Sequence, residues 1–354
     1  MRIRFLISCI LVLLYAGCGD RLDLSTFPIV NNGSINVSDT VYVLQGPIWT
    51  GFNKPEAVFA GNDQIIYVAD TKNNRIVQMD VAGGKYGSYY FNSSVFPKKI
   101  AQDGNFDLLL ICDSITIQDT TSIVFRLKVV TGGGVLNQNT PAVRLLTSLI
   151  STPSSNKFRK FTGISTYPDN SYLISRIGPE DPLNIDPGNA LLKVKGIDSV
   201  KQLTVLNGFQ TSGNSFYSIE NISSALTIIN SSTDFIITRS SQDTNRLNKV
   251  IYFEYNSVNG TYDPKYTSTS QDLVNMKFGS PDAIVMDANY AIYVIDSYRN
   301  HLFKFNNNGK LLRESFGDLT IFNNPKGISY FNKVVYIADT GNDRILRYKL
   351  STDN

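Results

Sequence analysis

The sequence has a single histidine in 354 residues, and that scarcity removes much of enzymology at the outset. Zinc hydrolase sites and Ser-His-Asp catalysis are generally built on histidine, and His301 alone cannot furnish either. Cysteine is almost as rare. Of the three, Cys9 falls in the N-terminal leader, Cys18 directly follows it, and Cys112 lies in an apolar stretch, so no internal disulfide forms and Cys112 reads as an inert buried thiol. A charge imbalance is also missing. The formal net charge of +3 includes Arg2 and Arg4 of the leader, so the rest is near neutral and offers nucleic acid no electrostatic hold. No apolar run is long enough to span a bilayer. The longest, Phe5 to Leu14, follows two arginines and precedes the small residues Ala16 and Gly17, which is the pattern of an export signal.

What is present is a chain that is 42% hydrophobic and 11% aromatic, ample for a large core. Leu14-Tyr15-Ala16-Gly17-Cys18 resembles a bacterial lipobox, with Tyr15 where that family prefers Leu. The resemblance implies a signal over 1–17, a lipid on Cys18 and, with Gly19 following, sorting to the outer membrane on its periplasmic or cell-surface side. Residues 18–40, rich in Ser, Thr, Asn and Gly, then read as a flexible tether.

Self-comparison is the most informative step. Pro55-Glu56-Ala57-Val58 is followed by Ile66-Tyr67-Val68-Ala69-Asp70-Thr71 and Asn74-Arg75-Ile76. The pattern returns as Pro325-Lys326-Gly327-Ile328, Val335-Tyr336-Ile337-Ala338-Asp339-Thr340 and Asp343-Arg344-Ile345. A third copy runs Pro281-Asp282-Ala283-Ile284, Ile292-Tyr293-Val294-Ile295-Asp296-Ser297 and Asn300-His301-Leu302. Three weaker units start near Pro97, Phe161 and Ile222, with turns such as Asp103-Gly104-Asn105 and Pro168-Asp169-Asn170. These copies resemble NHL repeats. The resemblance implies an all-β, six-bladed β-propeller over 41–354, in which Val41 to Gly46 supplies the missing outer strand of the last blade and closes the ring.

Within such a propeller the first strand of each blade lines the channel. The expected mouth residues are Glu56, Lys98, Thr162, Ser224, Asp282 and Lys326, two acids facing two lysines, which suits a self-neutralised channel better than a cation cage. The recurring Asp70, Asp113, Asp296 and Asp339 read as acceptors for backbone turns, with Arg75 and Arg344 pairing to them. Blades three and four instead carry Arg176 and Arg239 at that place. Both are followed by enlarged loops, the first holding Glu180 and Asp181, and blade two has a smaller expansion over 115–121. Long loops grouped on one face favour recognition.

The reading is therefore a lipid-tethered binding or scaffold propeller for a protein or carbohydrate, with Arg176 and Arg239 as exposed positive anchors and no cofactor. The competing reading, from resemblance to six-bladed lactonases and gluconolactonases, is a calcium-dependent hydrolase using Glu56 and Asp282 as metal ligands. Those lactonases carry an "E-G-P-V-W" tract, matched imperfectly here by Gln45-Gly46-Pro47-Ile48-Trp49.

Overall fold

The computed structural model describes residues 40–117, 120–148, 158–179, 187–241, 243 and 245–353. The expected leader, Cys18 and nearly all of the tether lie outside the described residues, as do Glu180 and Asp181. Among the described residues no helix is long and apolar enough to cross a membrane.

Six small antiparallel sheets follow one another along the chain, so the protein is a six-bladed β-propeller. After β1 (Tyr42–Leu44), blade one holds β2 (Pro55–Ala60), β3 (Ile66–Asp70), β4 (Arg75–Met79) and β5 (Lys85–Tyr90). Blade two holds β6 (Val95–Gln102), β7 (Leu108–Ile115), β8 (Thr120–Leu127) and β9 (Ala142–Thr147). Blade three holds β10 (Lys160–Thr166), β11 (Tyr172–Ile177), β12 (Ala190–Lys195) and β13 (Gln202–Val205). Blade four holds β14 (Ile222–Thr227), β15 (Phe235–Arg239), β16 (Val250–Asn256) and β17 (Thr261–Pro264). Blade five has β18 (Pro281–Met286), β19 (Ile292–Asp296) and β20 (His301–Phe305), and its fourth strand shrinks to two bridges, Leu302 to Phe316 and Phe305 to Leu311. Blade six has β21 (Gly327–Phe331), β22 (Val334–Asp339) and β23 (Arg344–Leu350).

The ring closes where the sequence placed it. β1 pairs antiparallel with β23 in the register Tyr42 to Leu350, and Trp49 adds a second bridge to Ile345. Each pair of neighbouring blades shares one apolar cluster, and the Trp49, Val68, Tyr336 and Ile345 cluster joins the last blade to the first. Because the second strands are covered on both faces, they read as unbroken apolar runs: Ile66, Tyr67, Val68 and Ala69 are all fully buried.

The repeat motif has a mechanical meaning. Asp70 Oδ1 accepts from the Asn53 backbone N–H at 2.7 Å and its Oδ2 from Arg75 Nε at 2.7 Å. Asp339 repeats this with the Asn323 N–H and Arg344 Nε. The next residue staples blades together, since Thr71 Oγ1 donates to the Pro97 carbonyl at 2.7 Å and Thr340 Oγ1 to the Pro55 carbonyl at 2.7 Å. Asn74, Asn300 and Asp343 take the left-handed backbone conformation at the following turn, which short polar side chains tolerate. These aspartates are structural, as is His301, whose Nδ1 lies 2.5 Å from the Gly317 carbonyl.

Candidate functional site at the channel mouth

Sequence periodicity puts the start of each first strand at one end of the channel, and a local irregularity then aims one side chain at the axis. Pairing slips by one residue at Pro55/Ala57, Pro97/Lys99, Phe161/Gly163, Ile222/Ser224 and Pro281/Ala283. The extra residue of such a bulge has no cross-strand partner, so its side chain is redirected. Glu56, Lys98, Thr162, Ser223 and Asp282 are those residues, and with Lys326 they line the mouth.

Five of the six expected mouth residues are thus in place and one is displaced. Ser224 pairs with Thr238 and lines the deeper channel, while Ser223 occupies the mouth. The correct register was available from Ile222, which fills the slot held by Pro55, Pro97, Phe161 and Pro281. Three charged residues of the lining were not expected at the mouth: Lys99, Lys160 and Asp113. Lys99 had a signal, because it stands where the other blades have Ala57, Gly163, Ser224, Ala283 and Gly327.

The lining carries four lysines (Lys98, Lys99, Lys160, Lys326) against three carboxylates (Glu56, Asp113, Asp282), a formal excess of one positive charge. The expected neutrality is corrected accordingly. Glu56 is consumed by Lys98, whose Nζ lies 2.5 Å from its Oε1. Asp113 accepts from Ser122 Oγ at 2.8 Å. Asp282 accepts from Ser297 Oγ and, at 3.3 Å, from Ser280 Oγ. Lys99 crosses the axis from blade two to blade five, where its Nζ donates to the Asp282 carbonyl at 2.9 Å. It lines both the mouth and the deeper channel, so it forms the floor of one and the roof of the other.

Burial pushes the Asp282 carboxyl above the usual carboxylate range, against the lowering effects of Ser297, Lys99 and Lys326. Burial likewise pulls the Lys99 ammonium down, against the nearby Asp282 and Glu56. Among the described residues, Lys326 makes no side-chain hydrogen bond or ion pair. In blade five the stapling threonine is replaced by Ser297, which turns back onto Asp282 instead of reaching the next blade.

Calcium does not suit this donor set. It seeks six to eight oxygens, whereas Glu56 is held by Lys98 and the Lys99 ammonium sits over the Asp282 peptide. Among the described residues, no three His, Cys, Asp or Glu side chains gather where they could hold a metal ion.

The two arginines expected as exposed anchors are buried, each only 1% exposed. Arg176 Nη2 donates to the Pro187 carbonyl at 2.6 Å. Arg239 donates to the carbonyls of Gly213 at 2.9 Å and Glu220 at 3.2 Å and to Ser218 Oγ at 3.1 Å. Burial, with Arg246 adding to it, pushes the Arg239 guanidinium down to about 10. They fasten backbone rather than present charge. The reason is segment 206–221, which runs from β13 to β14 over the same face and covers Arg239. The blade-two expansion is shorter than expected, because its ends, Ile115, Thr120 and Thr121, belong to the β7–β8 hairpin.

No family model matches the sequence, and no curated protein matches it. Among solved structures it is similar to a protein of unknown function from Bacteroides thetaiotaomicron, at 13% identity over 88% of this chain and 77% of that one, TM-score 0.58. A luciferin-regenerating enzyme aligns at 11% identity over 88% and 95% of the two chains, TM-score 0.56. The PQQ-bound aldose sugar dehydrogenase of Streptomyces coelicolor aligns at 14% identity over 88% and 99%, TM-score 0.55. These likenesses establish the propeller fold.

Proposed function

We propose that this propeller is an extracytoplasmic recognition module, tethered through Cys18, that binds a protein or carbohydrate partner by the face carrying the channel mouth. The observation that carries the reading is the lysine excess at that mouth, with Lys326 uncommitted among carboxylates that already have partners. Such a site attracts a negatively charged group on the partner. The positive anchor is therefore Lys326, assisted by Lys160, and the buried Arg176 and Arg239 support the loops around it. The solved neighbours include enzymes, a luciferin-regenerating enzyme and an aldose sugar dehydrogenase. At 11% and 14% identity they lend their fold and not their chemistry.

Thermal-shift measurements separate the readings. Citrate should raise the melting temperature and Lys326→Ala should remove that rise, whereas calcium should have no effect. A calcium-dependent rise that vanishes in both Glu56→Gln and Asp282→Asn would replace this proposal with the lactonase-like hydrolase. For the tether, Cys18→Ser should move the protein from the membrane to the soluble fraction, and unchanged fractionation would remove that part.

A further inference from the structure

Beside the mouth, on the same face, lies a second cleft lined largely by serines. Ser240, Ser241, Ser280, Ser297, Tyr298 and Asn324 line it, together with the backbone of Gly279. It is continuous with the mouth, because Ser240 lines both and its Oγ lies 2.7 Å from Ser280 Oγ. From Ser280 the hydroxyls lead on to Asp282, which also accepts a hydrogen bond from Ser297 Oγ. With those protons drawn toward the carboxylate, the serine oxygens keep lone pairs for incoming hydroxyl donors.

Tyr298 forms the remaining wall. It is 70% exposed, an unusual state for a tyrosine on a folded surface, yet it is held in place. A Cβ on Gly279 would lie 2.5 Å from Tyr298 Cδ1, so the ring lies against bare backbone that only glycine leaves open. The ring is packed against that backbone on one side, and most of the rest of the side chain is open to solvent. A fixed aromatic plane beside a row of hydroxyls is complementary to a pyranose, which has an apolar C–H face and an equatorial rim of hydroxyls.

Resting on the anion-binding reading of the mouth, we propose that the combined cleft and mouth bind an acidic saccharide. One sugar ring lies on Tyr298 and hydrogen-bonds the serine row, while a carboxylate or sulfate on the same or next residue meets Lys326. The site is one of recognition, and no bond is made or broken.

The test titrates the protein by calorimetry, at low ionic strength, with trigalacturonate, a chondroitin sulfate disaccharide, maltotriose and citrate. At least one acidic saccharide should bind roughly tenfold or more tightly than citrate, and maltotriose should not bind. Lys326→Ala should weaken acidic saccharide and citrate alike by about tenfold, the scale of one charge-assisted contact. Tyr298→Ala should weaken only the saccharide, by about three- to tenfold, and leave citrate unchanged. Neither side chain makes a hydrogen bond or ion pair with the described residues, so unaltered melting temperatures confirm that each variant is folded. Citrate binding as tightly as either acidic saccharide, with Tyr298→Ala indifferent, overturns the saccharide while leaving the anion site standing. Failure of every acid to bind the folded protein overturns both.

Discussion

Blades one and six solve the same local problem as blade four with the opposite charge. At the end of the second strand, Asp70 and Asp339 accept from the N–H groups of Asn53 and Asn323 in the short segments entering their blades. Arg239, at the same place in blade four, faces the long segment 206–221, which presents the carbonyls of Gly213 and Glu220. All three side chains are buried. The difference teaches that this position is a fastening point whose sign follows the backbone polarity of the loop it secures. A buried polar group must find the complementary partner, whichever kind that is. Reversed charge in a degenerate blade therefore marks a rebuilt loop, and the charge that remains for a ligand sits elsewhere, on the lysines of the mouth.

The comparison presupposes a closed ring, and opening the ring gives the largest expected effect. Deleting residues 41–46 strips β23 of its partner strand and exposes its edge. That truncation should cost several kcal/mol, a large part of the roughly 5–15 kcal/mol that holds a domain together. Deleting residues 20–35 should cost none of it. Equal melting temperatures for the two truncations would show that closure lies elsewhere.

Exchanging the sign at the fastening point comes next. Arg239→Asp places a carboxylate against the carbonyls of Gly213 and Glu220, and should destabilise more than Arg239→Ala, itself expected to cost roughly 3–5 kcal/mol. Asp339→Ala leaves the Asn323 N–H without its acceptor and Arg344 without its carboxylate, at roughly 2–4 kcal/mol. Denaturant unfolding measures all three. Arg239→Asp no worse than Arg239→Ala would break the argument that loop polarity sets the sign.

The fold was legible because its motif repeats: the residues of Ala69-Asp70-Thr71 and Ala338-Asp339-Thr340 make the same bonds in blades one and six, so the pattern is a direct image of the architecture. Even the closing strand could be placed, from where the last repeat ran short. The site was less legible. Ser224 was expected where Ser223 stands because a bulge shifts the register by one, and blade four has Ile222 in place of the proline that marks it elsewhere. The burial of Arg176 and Arg239 was invisible, since the carbonyls that bind Arg239 lie 19 to 26 residues before it. Lys99 broke the small-residue pattern in plain view, but its reach across the axis depends on blades two and five standing opposite each other.

That reach supports the smallest and most local prediction, in which a degenerate blade is read through a regular one. Burial raises the Asp282 carboxyl above its ordinary value of 3.8, and of the opposing charges Lys99 does most to hold it down. Lys99→Met keeps the bulk of the side chain and removes that charge, so the carboxyl should rise further. A carboxyl raised in the folded state contributes stability that is present below its unfolded value and is lost as pH rises through its folded value. In the variant that loss extends to higher pH. Relative to the parent protein, its stability should therefore fall as pH climbs above the already raised Asp282 value of the parent, and level off once Asp282 of the variant has ionised. Removal of the buried Lys99 amine adds an offset of its own to the stability, which a direct titration of the carboxyl does not carry. Carbon-13 titration of the Asp282 carboxyl in both proteins checks the shift directly. An unchanged or lowered value in Lys99→Met would mean that the ammonium does not act on Asp282, and that the two sides of the channel titrate independently.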